Sequence, residues 1–120
     1  MTAKGVLFST GALLPLVIVF LALTSPLAKG ATAGELLEKA IYAEETTGNL
    51  DEAIKLYEQV IAEAKTAKSA AAKAQYRLGL IYEKQGKAEP AAAAFRAVVE
   101  NFPDEKELVA QARKRLPSEL

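Results

Sequence analysis

Two acidic pairs, Glu44-Glu45 and Asp51-Glu52, are the residues whose type and closeness suggest acid–base chemistry. Carboxyls that share one site drive each other's pKa values apart, so that one donates a proton while the other accepts. Adjacent residues on a helix point away from each other, so neither pair is expected to act as a catalytic dyad. The chain contains no cysteine and no histidine, which removes thiol nucleophiles, disulfides, zinc–thiolate and histidine metal sites, and every histidine-dependent triad. No phosphate loop, metal-ligand box or nucleophile motif is present. An enzyme is not expected, and neither is a cofactor. What remains are side chains suited to grasping. Tyr76 stands among Lys73, Arg77 and Lys84, and Tyr42 among Glu38, Glu44 and Glu45; tyrosine and arginine are frequent anchors of protein interfaces. The same side chains suit a blander role, the tyrosine packed on a neighbouring helix and the cations on a solvated face with pairing along their own helix.

The charges that would orient a partner are unevenly placed. Fifteen bases balance fifteen acids over 120 residues, so the formal net charge is zero and a generally basic nucleic-acid binder is not expected. Residues 34–64 carry eight acids against Lys39 and Lys55, whereas residues 65–120 carry eleven bases against seven acids. Two solvated helix faces explain this asymmetry. So does head-to-tail self-association, or a partner of mixed charge.

Residues 5–28 are uncharged, follow Lys4, and centre on the apolar run from Leu13 to Leu23. A run of this kind has the length of the hydrophobic region of a secretory signal. Ala31-Thr32-Ala33 offers small residues at cleavage spacing, so export with cleavage after Ala33 is the first expectation for residues 1–33. The uncharged run is also long enough to span a bilayer, which takes about 20 apolar residues. An uncleaved anchor, with membrane contact through residues 5–28, therefore stays open. Either outcome places the rest of the chain outside the cytoplasm, secreted or periplasmic in the first case and tethered to the cytoplasmic membrane in the second. Without a cysteine there is no lipoprotein anchor.

From residue 34 onward the chain is rich in Ala, Leu, Glu and Lys, which are strong helix formers. The spacing predicts an all-α domain over 34–120, with five helices at about 34–47, 50–65, 68–85, 89–101 and 105–115. Gly48 and Gly86 stand where a helix end needs left-handed backbone. Pro90 suits a first helical turn, Pro103 stops the fourth helix, and Asp104 is the expected cap of the fifth. Ala53, Ile54, Tyr57, Val60 and Ile61 recur at spacings of three and four on the second helix, as do Ala91, Ala94, Phe95 and Val98 on the fourth. These stripes should be core, joined by Leu78 and Tyr82, while Gly79 and Ala91 would let the third and fourth helices approach closely.

The run Leu78-Gly79-x-x-Tyr82, then Gly86, then Ala91-x-x-x-Phe95, Val98 and Pro103 resembles the tetratricopeptide repeat, whose pattern is L-G-x-x-Y, A-x-x-x-F and P over about 34 residues. The pairs Gly48/Gly86, Ala53/Ala91, Tyr57/Phe95 and Val60/Val98 are each 38 residues apart, about one helical turn more than that period. The extra turn is expected near residues 65–71, lengthening the second helix or the third. The resemblance implies an antiparallel helix-pair stack behind the N-terminal hydrophobic helix. It comprises repeat 1 at about 34–67, repeat 2 at about 72–105 and a capping helix at about 105–116. The first repeat departs from the pattern, with Ala40-Ile41 where the second has Leu78-Gly79 and Glu44 where it has Tyr82. That pair of helices must therefore pack differently.

Members of that family bind other proteins, with the first helix of each pair lining a concave groove. The resemblance thus implies a scaffold, of the sort known from bacterial envelopes. Its groove would be formed by Glu35, Glu38, Tyr42 and Glu45 from the first unit, and by Lys73, Tyr76, Arg77, Leu80 and Lys84 from the second. A protein or peptide partner would lie there, oriented by acids at one end and bases at the other. A membrane-anchored assembly subunit that mainly oligomerises is the competing expectation. Two units and a cap make a small core, where repeat stacks usually need three units or more, so self-association or docking would add stability.

Overall fold

The computed structural model describes residues 30–118. The expectations for residues 1–29, a hydrophobic helix serving as signal or anchor, lie outside the described residues. Among the described residues every regular element is helical, and no helix is long and apolar enough to cross a membrane. Helix α1 covers Ala33–Tyr42 and runs into a π-helical turn, Ala43–Thr47. It is followed by α2 (Leu50–Ala62), α3 (Lys68–Lys84), α4 (Ala88–Asn101) and α5 (Lys106–Arg115).

Local chemistry explains most of the boundaries. The Thr32 hydroxyl accepts from the Glu35 amide at 3.2 Å and starts α1. Asn49 does the same for α2: its Oδ1 accepts from the Glu52 amide at 3.1 Å, while its Nδ2 donates to Glu52 Oε2 at 3.2 Å. Gly48 and Gly86 adopt φ of 68° and 74°, a left-handed conformation that costs a side-chain-bearing residue more than glycine. The start of α5 differs from the sequence expectation. Asp104 does not cap it; the helix begins at Lys106 after Glu105, without a side-chain cap. There the buried Phe102 anchors the turn, and its carbonyl accepts from the Glu105 amide at 3.0 Å, which sets the entry of the chain by backbone bonding.

Consecutive helices pack on one another. In addition α1 touches α3 and α3 touches α5, whereas α2 and α4 do not meet. The short connections make neighbours antiparallel. Helices α1, α3 and α5 thus line one side of the stack, with α2 and α4 on the other. The repeat register holds in the interior: Ala53 and Ala91, Tyr57 and Phe95, and Val60 and Val98 are all buried. One cluster joins Leu37, Ala40, Ala43, Ala53, Tyr57, Val60, Ala74 and Ile81 across α1, α2 and α3. A second joins Ala91, Phe95, Val98 and Ala112, with Tyr82 half-buried against it.

The extra turn sits at the start of the third helix. At the spacing of 38, Ala33 corresponds to Ala71, yet α3 already begins at Lys68. Just after the added turn, Ala71 and Ala72 pack against Phe102 and close the seam between α3 and the end of α4. Gly79 does create a close approach, and what fills it is the Phe95 ring: a Cβ on Gly79 would lie 2.6 Å from Phe95 Cε1. Leu78 is buried as expected, while Gly86 and Pro103 are exposed and act as chain-turning residues.

Candidate partner-binding groove

The side formed by α1, α3 and α5 holds an open cavity of about 600 Å³. Glu38 and Glu45 border it from the first unit, and Lys73, Tyr76, Arg77, Leu80 and Lys84 from α3. Leu108 and Gln111 complete it from α5, and Leu37, Ile41 and Glu44 from the first unit; the sequence reading did not place these five in the groove. Two residues anticipated there are elsewhere. Glu35 is exposed at the start of α1, where its amide takes the Thr32 cap. Tyr42, 58% exposed, borders a separate cleft with Ile41 and Leu56. Residues four apart share a helix face, and Glu38 borders both clefts whereas Tyr42 borders only the second.

The cations are bound differently from the expectation of pairing along one helix. Arg77 Nη1 donates to Glu44 Oε1 at 3.2 Å and to Glu45 Oε2 at 2.8 Å, joining α3 to the first unit. Lys84 Nζ lies 3.4 Å from Glu44 Oε2. The fully buried Tyr57 donates its hydroxyl to Glu44 Oε1 at 2.5 Å. Glu44, its side chain only 3% exposed, is thus a carboxylate with donors from α2 and α3. The residue that broke the repeat pattern is therefore the polar pin of the first unit. Glu44 replaces Tyr82, and Tyr57 replaces Phe95 with a hydroxyl that reaches it. That paired exchange was the available sequence signal. The π turn beside it widens the helix end: the Asn49 amide reaches six residues back to the Ala43 carbonyl, where the Lys87 amide reaches five back to Tyr82.

These contacts set the ionisation of the network. Burial, then the hydrogen bond and charge of Glu44, push the Tyr57 phenol well above its ordinary value. Burial opposes the charge on Arg77, but the bond to Glu45, the nearby Tyr57, and the bond and charge of Glu44 outweigh it and raise its pKa further. Unfolded, Tyr57 loses its proton near pH 10; folded, it keeps the proton to higher pH. The unfolded chain then binds fewer protons, so stability present below about pH 10 is lost as pH rises past it. Tyr57→Phe should cost about 1.5–3 kcal/mol at neutral pH, the usual range for a hydrogen bond to a charged group, and should flatten the alkaline loss. Urea unfolding midpoints across the alkaline range check both; an unchanged alkaline slope would remove Tyr57 as its source.

Tyr76 shows both a packing and a groove contact. Its ring lies 5.6 Å from that of Phe95, tilted by 55°, while its hydroxyl accepts from Arg115 Nε at 3.0 Å. Arg115 Nη1 also donates to Glu83 Oε1 at 2.6 Å, so α5 is clipped to α3. Lys73 differs: it is exposed and has no carboxylate within ion-pair distance among the described residues.

Paired antiparallel helices, a glycine turn in each unit and a cavity lined by alternate helices define a helical-hairpin scaffold. The chain belongs to the tetratricopeptide repeat family, whose model matches residues 35–106. Domains of this family generally bind protein partners. Comparison with curated proteins returns no match, and comparison with solved structures returns none.

Proposed function

We propose that this chain is a non-catalytic adaptor that captures an extended or helical segment of a protein partner in the α1–α3–α5 groove, acting outside the cytoplasm in a bacterial envelope. The observation that carries the reading is the groove itself. Lys73 stands with its charge uncommitted beside the half-buried Leu80, whereas Arg77 and Lys84 are held by Glu44. Lys73 is the cation free to meet an acidic partner residue, and Leu80 supplies apolar contact. The uncharged run at 5–28 supports action beyond the membrane. Lys73→Glu should weaken capture of a crosslinked envelope partner about tenfold or more, since like charges across an interface cost several kcal/mol, with thermal unfolding unchanged. Undiminished crosslinking would remove the groove assignment and leave the scaffold.

A second reading, a membrane-anchored assembly subunit, gains from the start of α1. Cleavage after Ala33 would delete the Thr32 cap and the first helical residue. Loss of such a cap costs about 1 kcal/mol, and the new ammonium would sit at the positive end of the helix dipole. The amino terminus of the native protein separates the readings: Gly34 favours release, and an intact apolar run in the membrane fraction favours the anchor.

A further inference from the structure

We propose that a second copy of this chain docks end to end, the first hairpin of one copy meeting α4 and α5 of the next. The stack is linear, for α1 reaches α2 and α3 but touches neither α4 nor α5. Its two ends are complementary. At the first end a cleft of about 670 Å³ has Ile41, Tyr42 and Leu56 as apolar surface, with Glu38 and Glu52 against Lys39 at its rim, beside Glu45, which Arg77 already holds. Tyr42 is the one large hydrophobic residue found exposed among the described residues. At the last end a cleft of about 420 Å³ is bordered by Arg96 and Arg113 over Leu116 and Pro117. Neither arginine has a carboxylate within ion-pair distance among the described residues. An acidic rim around a protruding tyrosine thus faces two arginines beside an apolar floor. Helix α5 occupies the place of the first helix of a third unit, and a neighbouring copy would continue the stack beyond it. The contact joins two different surfaces, so it leaves a free end at each step and extends into a short chain of copies unless the rotation closes a ring.

The test is a charge swap on the full chain in detergent, read by sedimentation velocity. The wild-type average mass should rise with concentration and fall as salt is raised from about 0.05 to 0.5 M, because exposed pairs are screened. E38K/E52K makes both ends basic, and R96E/R113E makes both acidic; each alone should weaken association roughly tenfold or more. Mixing the two variants in equal amounts should restore it, because each then offers the other a complementary end. Restoration also shows that both variants are folded. A wild-type monomer at every concentration, a single variant that associates like wild type, or a mixture that fails to recover would overturn the proposal. The readout is self-association, so its failure leaves partner capture through Lys73 standing, and the reverse holds too.

Discussion

Glu44→Ala should destabilise the domain by about 1–3 kcal/mol, the range for leaving a buried hydrogen-bonding group without its partner. The loss has two parts. The Tyr57 hydroxyl, in a fully buried residue, would have no acceptor in place of Glu44 Oε1, and an unsatisfied buried polar group costs about 1–3 kcal/mol. Arg77 would keep Glu45 but lose the buried carboxylate that fixes α3 to the first unit. Lys84 adds less, because its side chain is 58% exposed and water screens it. Glu44→Leu with Tyr57→Phe removes acceptor and hydroxyl together, and should recover part of the loss, since replacing both partners by apolar groups is close to neutral. Urea denaturation of the three chains checks this. A cost below about 1 kcal/mol for Glu44→Ala would show that the network is solvated and not a pin.

Gly79→Ala should cost about 2 kcal/mol, although alanine is the better helix former by roughly 1 kcal/mol. The new methyl would lie 2.6 Å from Phe95 Cε1 and 2.8 Å from both Cδ1 and Cζ. The ring has little freedom to retreat: Phe95 is fully buried and its ring lies against the tilted ring of Tyr76. The strain must pass to the backbone of α3 or α4. Shrinking the ring in the double variant Gly79→Ala, Phe95→Leu should make the glycine substitution cheaper than it is alone. Additive effects in thermal unfolding would disconnect the two positions. Phe95→Ala on its own leaves a cavity worth about 3–5 kcal/mol.

Much of the fold was legible because helices report themselves locally. Apolar spacings of three and four, Gly48 and Gly86 at the turns, and Pro103 after the fourth helix mark elements without knowledge of their neighbours. The 38-residue spacing also exposed the added turn, though not that α3 would carry it. The groove was legible in outline: Glu38, Glu45, Lys73, Tyr76, Arg77, Leu80 and Lys84 do line one cavity. Their working state was not. Arg77 and Lys84 look like partner-seeking cations in the sequence, and the fold ties them to Glu44.

The sequence by itself determined the helical elements, their left-handed turns and the repeat that identifies the family, since these depend on backbone preference and on residues within a few positions of one another. Only the tertiary structure decided that Glu44 would be buried, that Tyr42 would stand exposed in a cleft with Leu56 and that Phe95 would fill the notch at Gly79. Those outcomes depend on groups far along the chain. Arg77 is 33 residues from Glu44, and a charge is a pin or a liability according to what a distant helix brings within hydrogen-bonding reach.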